Sequence, residues 1–378
     1  MTAAPRQQHG LDVLRPYVPG KPIEEVQREY GLTDVIKLAS NENPIGASPK
    51  VVAALVGALN GIKYYPDARA YRLSRAIARH LDVDPEMIRV GNGADGLIRE
   101  VCVSYLDDGD EMLTSVSSFP VYDVSATVMR ARIVKTPLRA DRFDLGAMAR
   151  AITERTKIIF VCNPNNPTGT MVDARELAEF MDAVPDNVVV VLDEAYYDFV
   201  DDPGYPDSLA YLRAGHKNVM ILRTFSKAQG IAGIRLGYGI AHPDLLAPMR
   251  ASTESFPVNI LAQVAGLAAL EDIEFMQETV ATNRIGREYL ACEFARLGMS
   301  CPPSQTNFLL VHVGPQAGQV YQKLLERGVI VRPCTAYDMP EHLRVTIGTP
   351  EQNERLIREL AKIVGTREAM PLTVSRDN

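Results

Sequence analysis

The segment Arg223-Thr224-Phe225-Ser226-Lys227-Ala228-Gln229-Gly230-Ile231-Ala232-Gly233-Ile234-Arg235 sets one lysine among small residues, near two hydroxyls and a second cation. An amine placed this way can have its pKa lowered and act as a nucleophile. Thr224, Ser226 and Arg235 have the chemistry to grip a phosphate. Taken alone, a lysine in such a loop is usually just solvated. Upstream, the run Val188-Val189-Val190-Val191-Leu192 leads into Asp193 and Glu194. Such a run can bury both faces and deliver a carboxylate to the C-terminal edge of a parallel sheet, where ligands bind. A buried acid is costly unless a cation or hydrogen bonds compensate it. Capping of a following helix is the plainer reading of Asp193. Tyr196, three residues on, reaches the same ligand or packs as a half-buried core tyrosine.

Gly91-Asn92-Gly93-Ala94-Asp95-Gly96 follows a short strand and opens a helix, a literal GxGxxG. A dinucleotide reading also needs an acid at the end of the next strand to hold a ribose. Asp110 and Glu111 precede that strand, at its wrong end, and the first strand contains Arg89. A nicotinamide enzyme is therefore the weaker reading. An anion cradle of backbone N–H groups at a helix N-terminus remains, beside the plain tight turn. Asn163-Pro164-Asn165-Asn166-Pro167-Thr168-Gly169 restrains its backbone with two prolines, frees it at Gly169 and can hold an Asn side chain rigidly. Arg332 ends one strand, and Arg344 sits inside His342-Leu343-Arg344-Val345-Thr346-Ile347. An arginine in an apolar strand calls for a carboxylate or phosphate, either as a structural salt bridge or as bound substrate.

Behind these residues the chain alternates short apolar runs with amphipathic stretches. Strands are expected at Ile88–Val90, Met112–Val116, Ile158–Cys162, Val188–Leu192 and Val219–Leu222. Helices are expected where Val52, Leu55, Val56 and Leu59, then Leu73, Ile77 and Leu81, recur at helical spacing. Leu177, Phe180, Met181 and Val184 mark another helix, capped by Asp173 and Glu176. This alternation argues for an α/β domain with a mainly parallel sheet. Later the texture changes to a long helix over about Glu274–Leu297, strands at Phe308–Val313, Val329–Val331 and His342–Ile347, and a helix near Val320–Arg327. Thr349, Pro350 and Gln352 start a last helix. The expected division is an N-terminal arm over 1–45 with little regular structure, which also joins the small domain, a large α/β domain over 46–262, and a small α+β domain over 263–378.

The 378 residues carry 40 Lys and Arg against 47 Asp and Glu, a formal charge of −7. That balance disfavours nucleic acid or an anionic membrane as partner while permitting one basic pocket. No apolar run approaches the roughly 20 residues a membrane span needs. The start, Met1 to His9, lacks the apolar stretch of a secretory signal. Five scattered cysteines without a CxxC pair suit reduced thiols in the cytoplasm. Six histidines without HExxH spacing give no reason to expect a metal.

In their order along the chain, these motifs resemble the fold-type-I pyridoxal-phosphate aminotransferases, most closely the histidinol-phosphate aminotransferase family. The resemblance runs from Leu14-Arg15-Pro16-Tyr17 and Ser40-Asn41-Glu42-Asn43-Pro44 to the Arg344 strand. It implies pyridoxal 5'-phosphate as cofactor, held by Lys227 as a Schiff base, with Lys227 later shuttling the proton. It implies Asp193 at the pyridine nitrogen, Asn166 and Tyr196 at the ring's phenolic oxygen, and Tyr122 stacked on the ring face. The backbone at Ala94 and Asp95, with Thr224, Ser226 and Arg235, would take the phosphate. Tyr65 would reach that phosphate from the other subunit of a homodimer. Arg332 and Arg344 would bind the anionic end of small-molecule substrates, with Tyr17 closing over it. The implied reaction moves an amino group between histidinol phosphate and 2-oxoglutarate. Aromatic aminotransferases and threonine-phosphate decarboxylases share much the same cofactor residues. Gly96 stands where the family commonly has an acid.

Overall fold

The computed structural model describes residues 20–365 continuously, together with Gln7, Leu11 and Leu14. Seven strands form the larger sheet in the order 88–91, 237–241, 219–224, 189–193, 156–162, 111–115 and 132–136. All run parallel except Gly237–Ala241, which is antiparallel to both neighbours. The strands Val189–Asp193 and Val219–Thr224 are buried along their whole length, as strands with both faces covered by helices must be. The expected strands are found with their ends displaced by at most two residues. Gly237–Ala241 escapes a reading by composition because glycines weaken a strand pattern. Here they permit close approach: a Cβ on Gly237 would lie 2.7 Å from the Ala94 nitrogen.

Each helix at the site follows from its apolar face. Gly93–Tyr105 buries Leu97, Ile98, Val101 and Cys102 and so sets its N-terminus over the sheet's C-terminal edge. Val121–Val128 buries Tyr122, Ser125 and Ala126. Ala174–Ala183 starts with the expected capping box between Asp173 and Glu176. Arg89, unusual inside a strand, is buried against Glu100, with two N–H groups donating at 2.9 and 3.1 Å.

A second body is built on the antiparallel strands Phe308–His312, His342–Thr346 and Arg332–Pro333. The helices Ile273–Arg296, Ala317–Glu326 and Pro350–Val364 pack on it, the last with the expected Thr349–Gln352 capping box. Its core includes Leu290, Phe294, Leu309, Val311, Leu324, Val345, Leu356 and, from the other end of the chain, Leu38.

The first 45 residues, expected to hold little regular structure, contain the helix Ile23–Tyr30, ended by Gly31 at φ 67°, and the strand Ile36–Lys37, which pairs with Val329–Ile330. The boundary expected at 262 falls inside the helix Ile260–Leu270, whose Ala262 and Ala265 belong to the large core. Among the described residues no helix is long and apolar enough to cross a membrane.

Candidate active site

Asp193 closes its strand at 2% exposure, paired in register between Cys162 and Leu222. Its Oδ1 accepts the Ala195 N–H at 3.1 Å, and its Oδ2 accepts the Tyr122 hydroxyl at 2.6 Å. Burial pushes the carboxyl up to about 6, while these two donors pull it back. Tyr122 is itself fixed, its ring stacked on Phe160 at 4.4 Å. Burial and the neighbouring carboxylate raise its phenol well above 10.0, so it stays a donor.

The next strand ends at Thr224, and the loop beyond carries Lys227. The amine of Lys227 donates to the Ser40 carbonyl at 3.4 Å and lies 5.7 Å from the Tyr196 ring centre. Burial, with the Arg344 charge added, lowers its pKa to about 8. At pH 7 about a tenth of this amine is therefore neutral and nucleophilic, far more than for an ordinary lysine. Tyr196 is buried edge-on to Phe308 at 5.1 Å, and its hydroxyl accepts the Asn41 amide at 2.9 Å.

The start of the Gly93–Tyr105 helix faces the Lys227 loop. Gly93 holds φ 71°, and a Cβ there would lie 2.8 Å from Arg235 Nη2. Arg235, with φ 61°, brings that nitrogen to 3.4 Å from an Asp95 carboxylate oxygen. Backbone N–H groups, hydroxyls and a guanidinium thus surround one end of a cavity of about 160 Å³. A helix N-terminus with such neighbours attracts an anion.

The second body supplies the opposite wall. Arg344 Nη1 donates to Asn166 Oδ1 at 2.6 Å and to the Tyr337 hydroxyl at 3.1 Å, and Nη2 donates to the Ala39 carbonyl at 2.8 Å. Asn166 belongs to the loop after Thr156–Cys162. Its neighbour Asn165 ties that loop down by donating to the Ser117 carbonyl at 3.1 Å and to the Thr168 hydroxyl at 2.9 Å. Arg332 is buried directly across from Arg344 in the strand pair, which puts both side chains on one face.

Ala94, Asp95, Asn166, Asp193, Tyr196, Thr224, Ser226, Lys227, Arg235 and Arg344 therefore line the same cavity. Tyr122 does not. The ring expected to lie on the ligand's face sits behind Asp193 and donates to it, and Phe119 lines the cavity instead. Helical geometry at the start of Val121–Val128 turns Tyr122 toward the sheet. Arg332 lies beside Arg344 without lining the cavity, and Tyr65 lies outside it, 81% exposed and stacked on Phe256 at 4.6 Å. Tyr17 is outside the described residues. Asn41, Phe119, Cys162 and Tyr337 also line the cavity although no role was expected of them. Asn41 lies in a motif already singled out, and Phe119 stands three residues before Tyr122. Nothing in the spacing of Cys162 or Tyr337 marks them.

The model of the family described as aminotransferase class I and II matches residues 33–360. Histidinol-phosphate aminotransferase of Moorella thermoacetica is 47% identical over 364 residues, covering 96% of this chain and 94% of that protein. The enzyme of the same name from Carboxydothermus hydrogenoformans is 46% identical over 357 residues, covering 94% and 98%. The crystal structure of histidinol-phosphate aminotransferase from Sinorhizobium meliloti in complex with pyridoxal-5'-phosphate superposes with a TM-score of 0.86 at 26% identity, covering 96% of this chain and 98% of that one. With a buried amine, a buried carboxylate and an anion cradle converging where that sheet ends, the chain belongs to the class I and II aminotransferases.

Proposed function

We propose that the chain is a pyridoxal 5'-phosphate-dependent aminotransferase exchanging an amino group between L-histidinol phosphate and 2-oxoglutarate. One observation carries the reading: Lys227 and Asp193 line a single cavity whose other end is the N-terminus of the Gly93–Tyr105 helix. The residues fit that cofactor. A low-pKa amine suits its aldehyde, a buried carboxylate suits its pyridine nitrogen, and the Gly93 and Arg235 cradle suits its phosphate. The relatives' names support the substrate, and the neighbour's bound pyridoxal-5'-phosphate supports the cofactor.

When bound, the cofactor supplies an electron sink for the charge left by loss of the substrate's α-proton. Lys227 Nζ would hold the cofactor and, when free, would accept that proton. Asp193, kept anionic by Tyr122 and the Ala195 N–H, would hold a proton on the ring nitrogen. Ala94, Asp95, Thr224, Ser226 and Arg235 would grip the phosphate. Asn166 and Tyr196 would face the ring oxygen, and Phe119 its flat face. Arg344 and Arg332 would bind the substrate phosphate or glutamate's side-chain carboxylate, an exchange that guanidinium forks accommodate.

The wider assignments belong to the same proposal. The second body takes residues 20–45 and those after about 272, where the Ile273–Arg296 helix begins. The chain works in the cytoplasm as a homodimer, with Tyr65 reaching the partner's phosphate site. A half-reaction panel tests the function. Cofactor absorbance should respond to histidinol phosphate and to glutamate added separately. A response to phenylalanine or threonine phosphate with none to histidinol phosphate would overturn the substrate.

A further inference from the structure

Asn41, second in Ser40-Asn41-Glu42-Asn43-Pro44, is 1% exposed, lines the cavity and holds a left-handed φ of 55°. Asparagine is among the few non-glycine residues that adopt this conformation readily, and here hydrogen bonds on both sides of its peptide units hold it. Its backbone N–H donates to Thr346 Oγ1 at 2.9 Å, and its carbonyl accepts from Asn307 Nδ2 at 3.0 Å. The Thr346 hydroxyl donates back to Asn41 Oδ1 at 3.2 Å. With the Thr346 proton given to Oδ1, Nδ2 is the end of the amide that faces Tyr196. That Nδ2 donates to the Tyr196 hydroxyl at 2.9 Å. A phenol has one proton to give. With its oxygen accepting from Asn41, Tyr196 directs that proton to the cavity side.

We propose that Asn41 is a positioning residue that sets Tyr196 as a hydrogen-bond donor to the cofactor's ring oxygen. The inference rests on the cofactor reading above. A donor at that oxygen draws its charge away from the proton on the adjoining Lys227 nitrogen. Without the donor, the nitrogen keeps its proton to higher pH.

The test is a pH titration of the visible absorbance of the holoenzyme. Asn41→Gly keeps the left-handed backbone accessible and removes only the amide. Its midpoint should rise by about one pH unit, the scale of one hydrogen bond to a charged group. Tyr196→Phe should rise at least as far, and Asn41→Gly in that background should add nothing. Asn41→Asp gives a second reading: a carboxylate only accepts, so it turns the Tyr196 proton away and raises the midpoint as well. An unmoved midpoint in both Asn41 variants, with Tyr196→Phe shifted, overturns the inference. Shifts that add in the double variant overturn it too, because Asn41 would then act independently of Tyr196. Absence of a visible band in the wild-type protein mixed with pyridoxal phosphate would instead overturn the cofactor reading beneath it.

Discussion

At the scale of single residues, the site depends on two ionisable groups moved from their ordinary values in opposite senses by the same burial. The Lys227 amine is lowered to about 8 and the Asp193 carboxyl raised to about 6. Cofactor uptake by the apoenzyme needs the neutral amine, so its rate should climb through about pH 8 rather than near the ordinary 10.5. Stopped-flow absorbance across pH checks this, and a flat profile to pH 9 would contradict it. Tyr122 steadies Asp193 from behind. Tyr122→Phe removes a donor to the charged form, so Asp193 protonates at higher pH. Cofactor affinity should then fall about tenfold near pH 6 and recover above pH 8. An affinity profile parallel to wild type would deny Tyr122 this role. Lys227 and Asp193 were legible because strand, acid and Ser-Lys loop occur in a telling order. That Phe119 rather than Tyr122 lines the cavity was not, because two aromatics three apart can each face a ligand until the helix beginning at Val121 fixes which one turns inward.

At the scale of elements, the cradle forms because a helix start, an antiparallel strand and a loop approach more closely than side chains normally allow. Gly237 is the point of contact, where an added Cβ would meet the Ala94 nitrogen at 2.7 Å and the Gly93 carbonyl carbon at 2.7 Å. These are backbone atoms and cannot swing aside. Gly237→Ala should cost about 1–3 kcal/mol of stability and weaken cofactor binding as the helix start shifts. Urea unfolding and cofactor titration check it, and wild-type values in both would contradict the close-approach argument. The same glycines hid the strand from a reading by composition. The parallel strands, by contrast, were legible from their unbroken β-branched runs. The helix Ile23–Tyr30 was missed because it buries Val26 alone along a mostly polar sequence.

At the scale of the whole molecule, the helix Pro49–Ala58 turns part of its apolar stripe outward. Val56 is 64% exposed, and Ile62, Tyr64, Tyr65 and Phe256 continue the surface. The spacing of Val52, Val56 and Leu59 signalled a buried face, but a single chain leaves that face uncovered. A second copy would cover it, so sedimentation should give twice the chain mass of 41.6 kDa. If Tyr65 serves the partner's site, Lys227→Ala and Tyr65→Ala chains co-expressed should regain activity above the sum of the two separate variants, because one mixed site is intact. No regain would place Tyr65 in its own chain's site or in none.

The most direct measurement of the central claim is borohydride reduction of the holoenzyme followed by peptide mass spectrometry. The peptide containing Lys227 should gain the mass of one reduced pyridoxyl phosphate, and Lys227→Ala should take up no label and lose more than about 10⁴-fold of turnover. Label on any other lysine, or substantial transaminase activity in Lys227→Ala, would contradict the account.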